Sequence, residues 1–169
     1  IKISKAIVES NPGGLKKPGG KRLNTDYDLT NTGIEAKILR DQLNIVDFFE
    51  ESAHFDTISQ QITTNFEFVQ DTILHWVVPN IKNFTTIERF VQDLFLQILA
   101  EKPDSLIYRK SNEQVAISVQ EEAKEILEAG GYNTRLGKEK IENLHNTMVK
   151  KRGKLNPGTT ADLTGAVTF

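Results

Sequence analysis

The stretch Asn156–Asp162 combines residue types that lead a chain from a turn into a helix and that could bind an anion. Its first three residues are turn formers, and two threonines follow them. The start of a helix presents unpaired backbone amides and a partial positive charge, and both favour phosphate. We therefore expect four of these residues to contact phosphate: Asn156, Gly158, Thr159 and Thr160. The alternative interpretation is a capping box between Thr159 and Asp162.

Two adjacent cations, Arg109 and Lys110, lie in a segment that Pro103 and Asp104 should keep irregular, just before a predicted helix cap. A guanidinium can bind phosphate through two parallel hydrogen bonds, whereas an ammonium acts as a compact charge. Adjacent basic residues can also form nothing more than a solvated surface. We expect both side chains to bind phosphate, with Arg109 the stronger candidate.

The carboxylates of Asp56 and Asp162 are the candidates for contact with a metal ion or a sugar. Helical spacing places Asp56 at the margin of an apolar stripe, on a face shared with Phe49, Ala53 and Gln60. A half-buried carboxylate in such a place is either a structural hydrogen-bond acceptor or a ligand-binding group. A zinc site is not expected, because no pair among the three histidines has metal-ligand spacing: His54, His75 and His145.

A second segment that could bind an anion is Asn11–Leu15, a glycine-rich turn. Its candidate phosphate-binding residues are Asn11, Gly13 and Gly14, and several cations follow them: Lys16, Lys17, Lys21 and Arg22. The segment is not a Walker motif, because the Gly-Lys-Ser/Thr ending is missing. The alternative is a basic linker without a ligand.

The elements that must position these residues are predicted to be helices. From Ile34 onward, apolar residues recur at spacings of three, four and seven. The stripes run through Phe48–Ile62, Phe66–Val77, Ile87–Ile98, Ala116–Ile126 and Ile141–Met148, with a last helical turn from about Thr160. No segment alternates with a period of two. The prediction is an all-α, multi-helix single domain.

Helix ends follow from capping and turn residues. Thr85 with Glu88, and Ser111 with Gln114, have the spacing of capping boxes. Pro79 should end or kink the second helix. Loops are expected near residues 10–33, 102–110, 130–137 and 153–159.

The composition limits the class of function. The formal net charge of −2 provides no basic field for nucleic acid, so no nucleic-acid partner is expected. Without cysteine, the chain has neither disulfides nor thiolate metal sites. No apolar run approaches the ~20 residues of a membrane helix, and no signal peptide opens the chain. We expect a cytoplasmic protein with no membrane partner.

Three segments resemble the triphosphoribosyl-dephospho-coenzyme A synthase family. The strongest is Leu155–Thr164, which is similar to the closing motif of the family almost letter for letter. The second is Pro103–Lys110, similar to a signature that ends in Arg-Lys-His-Gly. The third is Asn11–Leu15 followed by Ser52–Ile58, which resembles archaeal-type members. Order and spacing agree from residue 11 to 169.

The resemblance also has departures. Ser111 and Asn112 stand where the family has His-Gly, and Gln60 stands where an arginine is usual. The amino-terminal motifs of the family, Lys-Pro-Gly-Asn and an Asn-Thr-rich segment, are not in the sequence. We therefore interpret residues 1–169 as the carboxy-terminal portion of a larger all-helical domain. The apolar ends are expected to pack against a missing amino-terminal segment or a second chain.

The resemblance implies a transferase with ATP and dephospho-CoA as substrates. A hydroxyl of dephospho-CoA attacks the ribose C1′ of ATP, adenine leaves, and the product is a prosthetic-group precursor. Asp56 and Asp162 are the implied catalytic carboxylates and the candidate ligands of Mg²⁺. We expect the complete protein to be an enzyme and residues 1–169 alone to be inactive. The alternative is a non-catalytic helical interaction module or an inactive relative of the family.

Overall fold

A computed structural model describes residues 32–151 and 153–169 of the chain. The predicted anion-binding loop with Asn11, Gly13 and Gly14 lies outside the described residues. The described part is helical and contains no strand, which confirms the all-α prediction. Its nine main helices are α1 (Ile34–Arg40), α2 (Ile45–Glu50), α3 (Thr57–Thr63), α4 (Glu67–Thr72), α5 (Ile87–Glu101), α6 (Ser105–Lys110), α7 (Glu113–Glu128), α8 (Arg135–Lys150) and α9 (Gly158–Thr168).

Helix α4 does not end at Thr72 but changes its hydrogen-bonding pattern. A π-helical segment, Ile73–Val77, follows it and leads into a short α-helical turn, Val78–Asn80. The chain then leaves the helix through a 3₁₀ turn, Ile81–Asn83. The prediction that Pro79 ends this helix is therefore confirmed to within one residue.

The predicted continuous helix through Phe48–Ile62 is wrong. The chain forms α2, a turned segment and then α3, with Asp56 as the residue before α3. The Asp56 side chain accepts hydrogen bonds from the amides of Ile58 and Ser59, and this local bonding starts a new helix there. Asp56 is thus a helix cap and does not share a helix face with Phe49 and Ala53.

Helix α6 lies where the sequence analysis expected a loop over residues 102–110. Asp104 caps it by accepting hydrogen bonds from the amides of Leu106 and Ile107, so Arg109 and Lys110 are in its last turn. The predicted irregular setting of these two cations is wrong because the cap, rather than the preceding proline, determines the local structure.

Three other predicted caps also differ from the structure. Thr86 caps α5 in place of Thr85, and Asn112 caps α7 in place of Ser111. Pro157 precedes α9 without a side-chain cap, so the capping box between Thr159 and Asp162 does not form. The predicted loops over 130–137 and 153–159 are shorter than expected, since α8 starts at Arg135 and α9 at Gly158.

The core is built around α5, which packs against α7 on one side and α9 on the other. Leu94 and Ile98 are buried in a cluster with Leu163 and Val167 of α9. Leu99 lies in a second cluster formed mainly with α6 and α7, which contribute Ile107, Ala116, Val119 and Ala123. The apolar stripe of α5 therefore brings α6 and α9 to the carboxyl end of the same helix.

Two helical glycines, one in a close backbone contact and one in open space, allow a matched test of packing in this fold. A Cβ on Gly137 would lie 1.9 Å from the backbone oxygen of Gly131, whereas a Cβ on Gly165 in α9 would meet nothing within 4 Å. We expect Gly137→Ala to destabilise the protein by about 1–3 kcal/mol or more through overpacking. Gly165→Ala should stabilise it by up to about 1 kcal/mol because alanine favours the helix. Urea unfolding of both variants tests this, and equal stabilities would contradict it.

Candidate functional site

The starts of three helices, α3, α6 and α9, meet at one place beside the carboxyl end of α5. Side chains from each start contact the next start, and most of them are buried. We call this arrangement the helix-start junction and define it by Asp56, Thr57, Asp104, Ser105, Arg109, Thr159 and Thr160. It joins segments that are 48 to 56 residues apart in the sequence.

Asp104 is the central residue of the junction and is only 2% exposed. One carboxylate oxygen, Oδ1, accepts hydrogen bonds from the amides of Leu106 and Ile107 at the start of α6. The other, Oδ2, accepts from the amide of Thr160 at 2.7 Å and from its hydroxyl at 2.9 Å. A buried carboxylate costs free energy unless it is hydrogen-bonded, and here four donors satisfy it.

Ser105 connects all three helix starts through its side chain, and its carbonyl also contacts Arg109 of its own helix. Its Oγ lies 2.9 Å from Oγ1 of Thr159 and accepts a hydrogen bond from the amide of Thr57 at 3.2 Å. Its backbone oxygen accepts a hydrogen bond from Nε of Arg109 at 3.4 Å. Arg109 and Thr159 therefore contact the same residue.

An ion pair closes one side of the junction. Nη1 of Arg109 lies 2.9 Å from Oδ2 of Asp56, and the two side chains are only 17% and 13% exposed. Because Oδ1 of Asp56 also caps α3, this carboxylate fixes both the helix start and the direction of the guanidinium. The pair keeps an arginine at the surface of the junction without leaving its charge unbalanced.

Gly158 allows α9 to approach α6 closely. A Cβ at this position would lie 2.5 Å from Cδ2 of Leu106, so a larger residue would require the Leu106 side chain to shift. The amide of Gly158 donates to the backbone oxygen of Asn156 at 2.9 Å and closes the turn. The glycine of this turn therefore fits the packing against α6, independently of any ligand.

The remaining predicted residues lie outside this buried network. Asn156, Lys110 and Asp162 are exposed to solvent. Asp162 has neither a hydrogen bond nor an ion pair from its side chain to any residue in 32–151 or 153–169. The structure thus brings Asp56, Arg109, Thr159 and Thr160 together. The side chains of Lys110, Asn156 and Asp162 are instead exposed at the surface.

The network also changes how the start of α9 can bind an anion. The amide and hydroxyl of Thr160 already donate hydrogen bonds to the carboxylate of Asp104. These two donors at the start of α9 are therefore occupied by an anionic group of the protein itself. Phosphate binding by Thr159 and Thr160 stays a prediction. Their buried side chains make contacts that hold the junction together.

Sequence reasoning missed the roles of Asp104, Ser105 and Thr57. An aspartate placed directly before the run Ser105–Tyr108 is a helix-capping signal, and it could have revealed α6. No local signal connects Asp104 with Thr160, because the two are 56 residues apart. Thr57 contributes a backbone amide, which any residue type could provide.

The described residues set limits on metal and membrane binding. No group of three or more histidine or acidic side chains in this part of the chain is arranged to hold a metal ion. A metal ion that needs only one or two protein carboxylates is still compatible with Asp162.

None of the helices in residues 32–151 and 153–169 combines the length and apolar character that crossing a bilayer requires.

Comparison with known protein families identifies the family of this chain. A family model described as CitG, ATP:dephospho-CoA triphosphoribosyl transferase, matches residues 1–169. The chain therefore belongs to this family, which confirms the resemblance drawn from the motifs at Pro103–Lys110 and Leu155–Thr164. Searches of curated proteins and of solved structures found no significant match.

The central role of Asp104 can be tested by stability measurements. Asp104→Ala removes the cap of α6 and leaves the buried donors of Thr160 without an acceptor. We expect a loss of about 2–4 kcal/mol in the free energy of unfolding. The control is Asn112→Ala, which removes an exposed cap from α7 and should cost about 1 kcal/mol. Denaturant unfolding measures both, and equal losses would show that the link to α9 contributes nothing.

Proposed function

We propose that the family membership of this chain reflects its own activity, the transfer of the triphosphoribosyl part of ATP to 3′-dephospho-CoA. In this reaction a hydroxyl of dephospho-CoA forms a bond to the ribose C1′ of ATP. The C1′–adenine bond breaks, and the proton lost by the hydroxyl is balanced by the proton that the departing adenine takes up. The observation that supports a site at the junction is the shared contact of Arg109 and Thr159 with Ser105. Through this contact, the two segments predicted to bind phosphate are separated by a single residue, Ser105.

The triphosphate of ATP would lie along the exposed edge of the junction. Arg109 offers a guanidinium whose direction Asp56 fixes, and Lys110 adds an exposed cation in the same helical turn. Asn156 and the turn at Gly158 lie on the opposite side of this edge, at the start of α9. Orienting charged groups before the substrate arrives lowers the cost of binding and of reaching the transition state.

The two candidate carboxylates differ in what they can do. Both oxygens of Asp56 already have partners, namely the start of α3 and Arg109, so we assign Asp56 the role of positioning Arg109. Asp162 is exposed in the second turn of α9, and its carboxylate is available for Mg²⁺. Magnesium is commonly held by one or two carboxylates together with substrate phosphates. When bound, it would neutralise phosphate charge.

The reaction at C1′ places a further demand on the site. As the bond to adenine lengthens, positive charge develops on the ribose ring, and a nearby carboxylate stabilises it. Of the three acidic residues in the family motifs, Asp56 and Asp104 already have partners for both carboxylate oxygens, whereas the carboxylate of Asp162 is exposed. The buried network of Asp104 and Ser105 holds the elements that carry them.

A direct assay tests the proposed reaction. The natural protein incubated with ATP, dephospho-CoA and Mg²⁺ should release adenine and form a product heavier than dephospho-CoA by the triphosphoribosyl group. Chromatography and mass spectrometry detect both. Omitting dephospho-CoA separates transfer from hydrolysis. Release of ADP or AMP without adenine would contradict the assignment.

Asp162→Asn should fold normally, because Asp162 neither caps α9 nor forms a hydrogen bond in the described structure. We expect it to lose Mg²⁺-dependent turnover by at least about tenfold, the effect of removing one interaction worth about 1.4 kcal/mol in the transition state. Titrating Mg²⁺ against the initial rate is the measurement. Full activity at every Mg²⁺ concentration would remove Asp162 from the site.

Arg109→Ala should weaken ATP binding by about 1.5–3 kcal/mol, the usual value of a charged hydrogen bond, or roughly 10- to 150-fold in Kd. The control is Arg135→Ala, since the Arg135 side chain is 93% exposed and pairs with Glu139 in the first turns of α8. Calorimetric titration with ATP measures both. Because Arg109→Ala leaves Asp56 without its partner, thermal unfolding must accompany the titration, and Arg109→Lys provides a charged variant. Equal ATP affinities in the two alanine variants would contradict the proposed site.

A further inference from the structure

Lys102 occupies an unusual position for a lysine, directly after α5 and before Asp104. Its Nζ donates a hydrogen bond to Oε1 of Gln60 in α3 at 2.5 Å. It also lies 5.4 Å from the centre of the Phe68 ring in α4, which is a cation–π distance. The side chain is half-buried between these elements. An amide oxygen and an aromatic ring therefore hold this ammonium in one place.

Lys102 has no carboxylate partner in the part of the chain that the structure describes. Among the residues that the structure describes, no acidic oxygen lies within 4.0 Å of its Nζ, whereas Arg89, Lys124 and Lys140 each have such a partner. Burial lowers the pKa of Lys102, because a desolvated ammonium is costly, and the nearby Glu101 offsets this only in part. A fixed, partly desolvated and unbalanced cation is suited to an anion that comes from outside the protein.

The position of Lys102 relates it to the helix-start junction. Gln60, which holds Lys102, donates its backbone amide to the backbone oxygen of Asp56, which holds Arg109. The two residues that hold the cations are therefore about one helical turn apart, roughly 6 Å along the axis. Lys102 and Asp104 are also two residues apart, so the buried carboxylate fixes the chain near this lysine.

The end of α5 adds rigidity to this position. The buried side chain of Gln120, from α7, donates from Nε2 to the backbone oxygens of Ala100 and Glu101. These are two of the last carbonyls of α5, directly before Lys102. The backbone on both sides of Lys102 is thus held by buried hydrogen bonds, and little freedom needs to be lost when an anion binds.

We propose that Lys102 is a second anion-binding residue of the transferase site and contacts the triphosphate of ATP together with Arg109. This inference rests on the proposed function, because it uses the same substrate. It adds a residue that lies outside the family motifs identified from the sequence. Arg109 already shares its charge with Asp56, and Lys102 contributes the unshared positive charge that a tetra-anionic tail requires.

The test uses Lys102→Met, which keeps the apolar stem against Phe68 and removes the charge. The probe is inorganic tripolyphosphate, titrated calorimetrically into the natural protein, with ATP kinetics measured in parallel. We expect Lys102→Met to bind tripolyphosphate about tenfold more weakly. The KM for ATP should rise by a similar factor, with a smaller change in kcat. Lys102→Arg, which keeps the charge, should restore most of the affinity.

One control and one substitute variant separate the outcomes. Lys124→Met removes an exposed lysine paired with Glu121 and should leave tripolyphosphate binding unchanged. If Lys102→Met does not fold, Lys102→Gln takes its place and carries the same expectation. Unchanged binding in the neutral variant, beside weakened binding in Arg109→Ala, would overturn the role of Lys102 and leave the transferase function standing. A natural protein that neither binds tripolyphosphate nor releases adenine would instead overturn the proposed function.

Discussion

The carboxylate of Asp104 is shared between two helix starts, and the arrangement of the candidate site depends on this sharing. Four donors on α6 and α9 converge on its two oxygens, inside a core that admits almost no solvent. Moving the two helices apart would break these bonds and leave a buried carboxylate without its partners. Because such a charge is costly, the two helix starts stay together. Ser105 and Thr159 add a second link directly beside the first. The relative position of α6 and α9 is therefore determined by polar contacts more than by apolar packing.

The apolar core nevertheless determines where this polar junction lies. Helix α5 is buried along most of its length, and the clusters around Leu94, Ile98 and Leu99 place α7 and α9 on its sides. Its last turn then delivers the chain to Lys102 and Asp104. The polar groups of the junction are thus fixed at the end of a well-packed helix, while Lys110, Asn156 and Asp162 remain exposed to solvent. This division between a buried support and a solvated edge suits an enzyme that binds a highly charged nucleotide.

The sequence predicted the long elements of the fold well, because α5 and α7 carry apolar stripes of several turns and end at recognisable residues. It failed at the short helices α3 and α6. The apolar spacing from Phe48 to Ile62 continues through the break at Asp56, so periodicity alone could not locate the break. The function became apparent from the motif at Leu155–Thr164, whose similarity to the family extends beyond what capping requires. The contact between Asp104 and Thr160 could not be predicted, since nothing in either local sequence indicates a partner 56 residues away.

The separation of Asp104 and Thr160 in the sequence has a consequence for the order of folding. Bringing the two together closes a loop of 56 residues, and the entropy of that closure must be offset before the contact contributes any stability. Local helices such as α7 and α8 can form without this cost, whereas the junction requires α9 to meet a helix start that lies more than 50 residues earlier in the sequence. The helix-start junction should therefore form late in folding. During synthesis, α6 must wait for α9 to emerge before the carboxylate of Asp104 finds its second pair of donors.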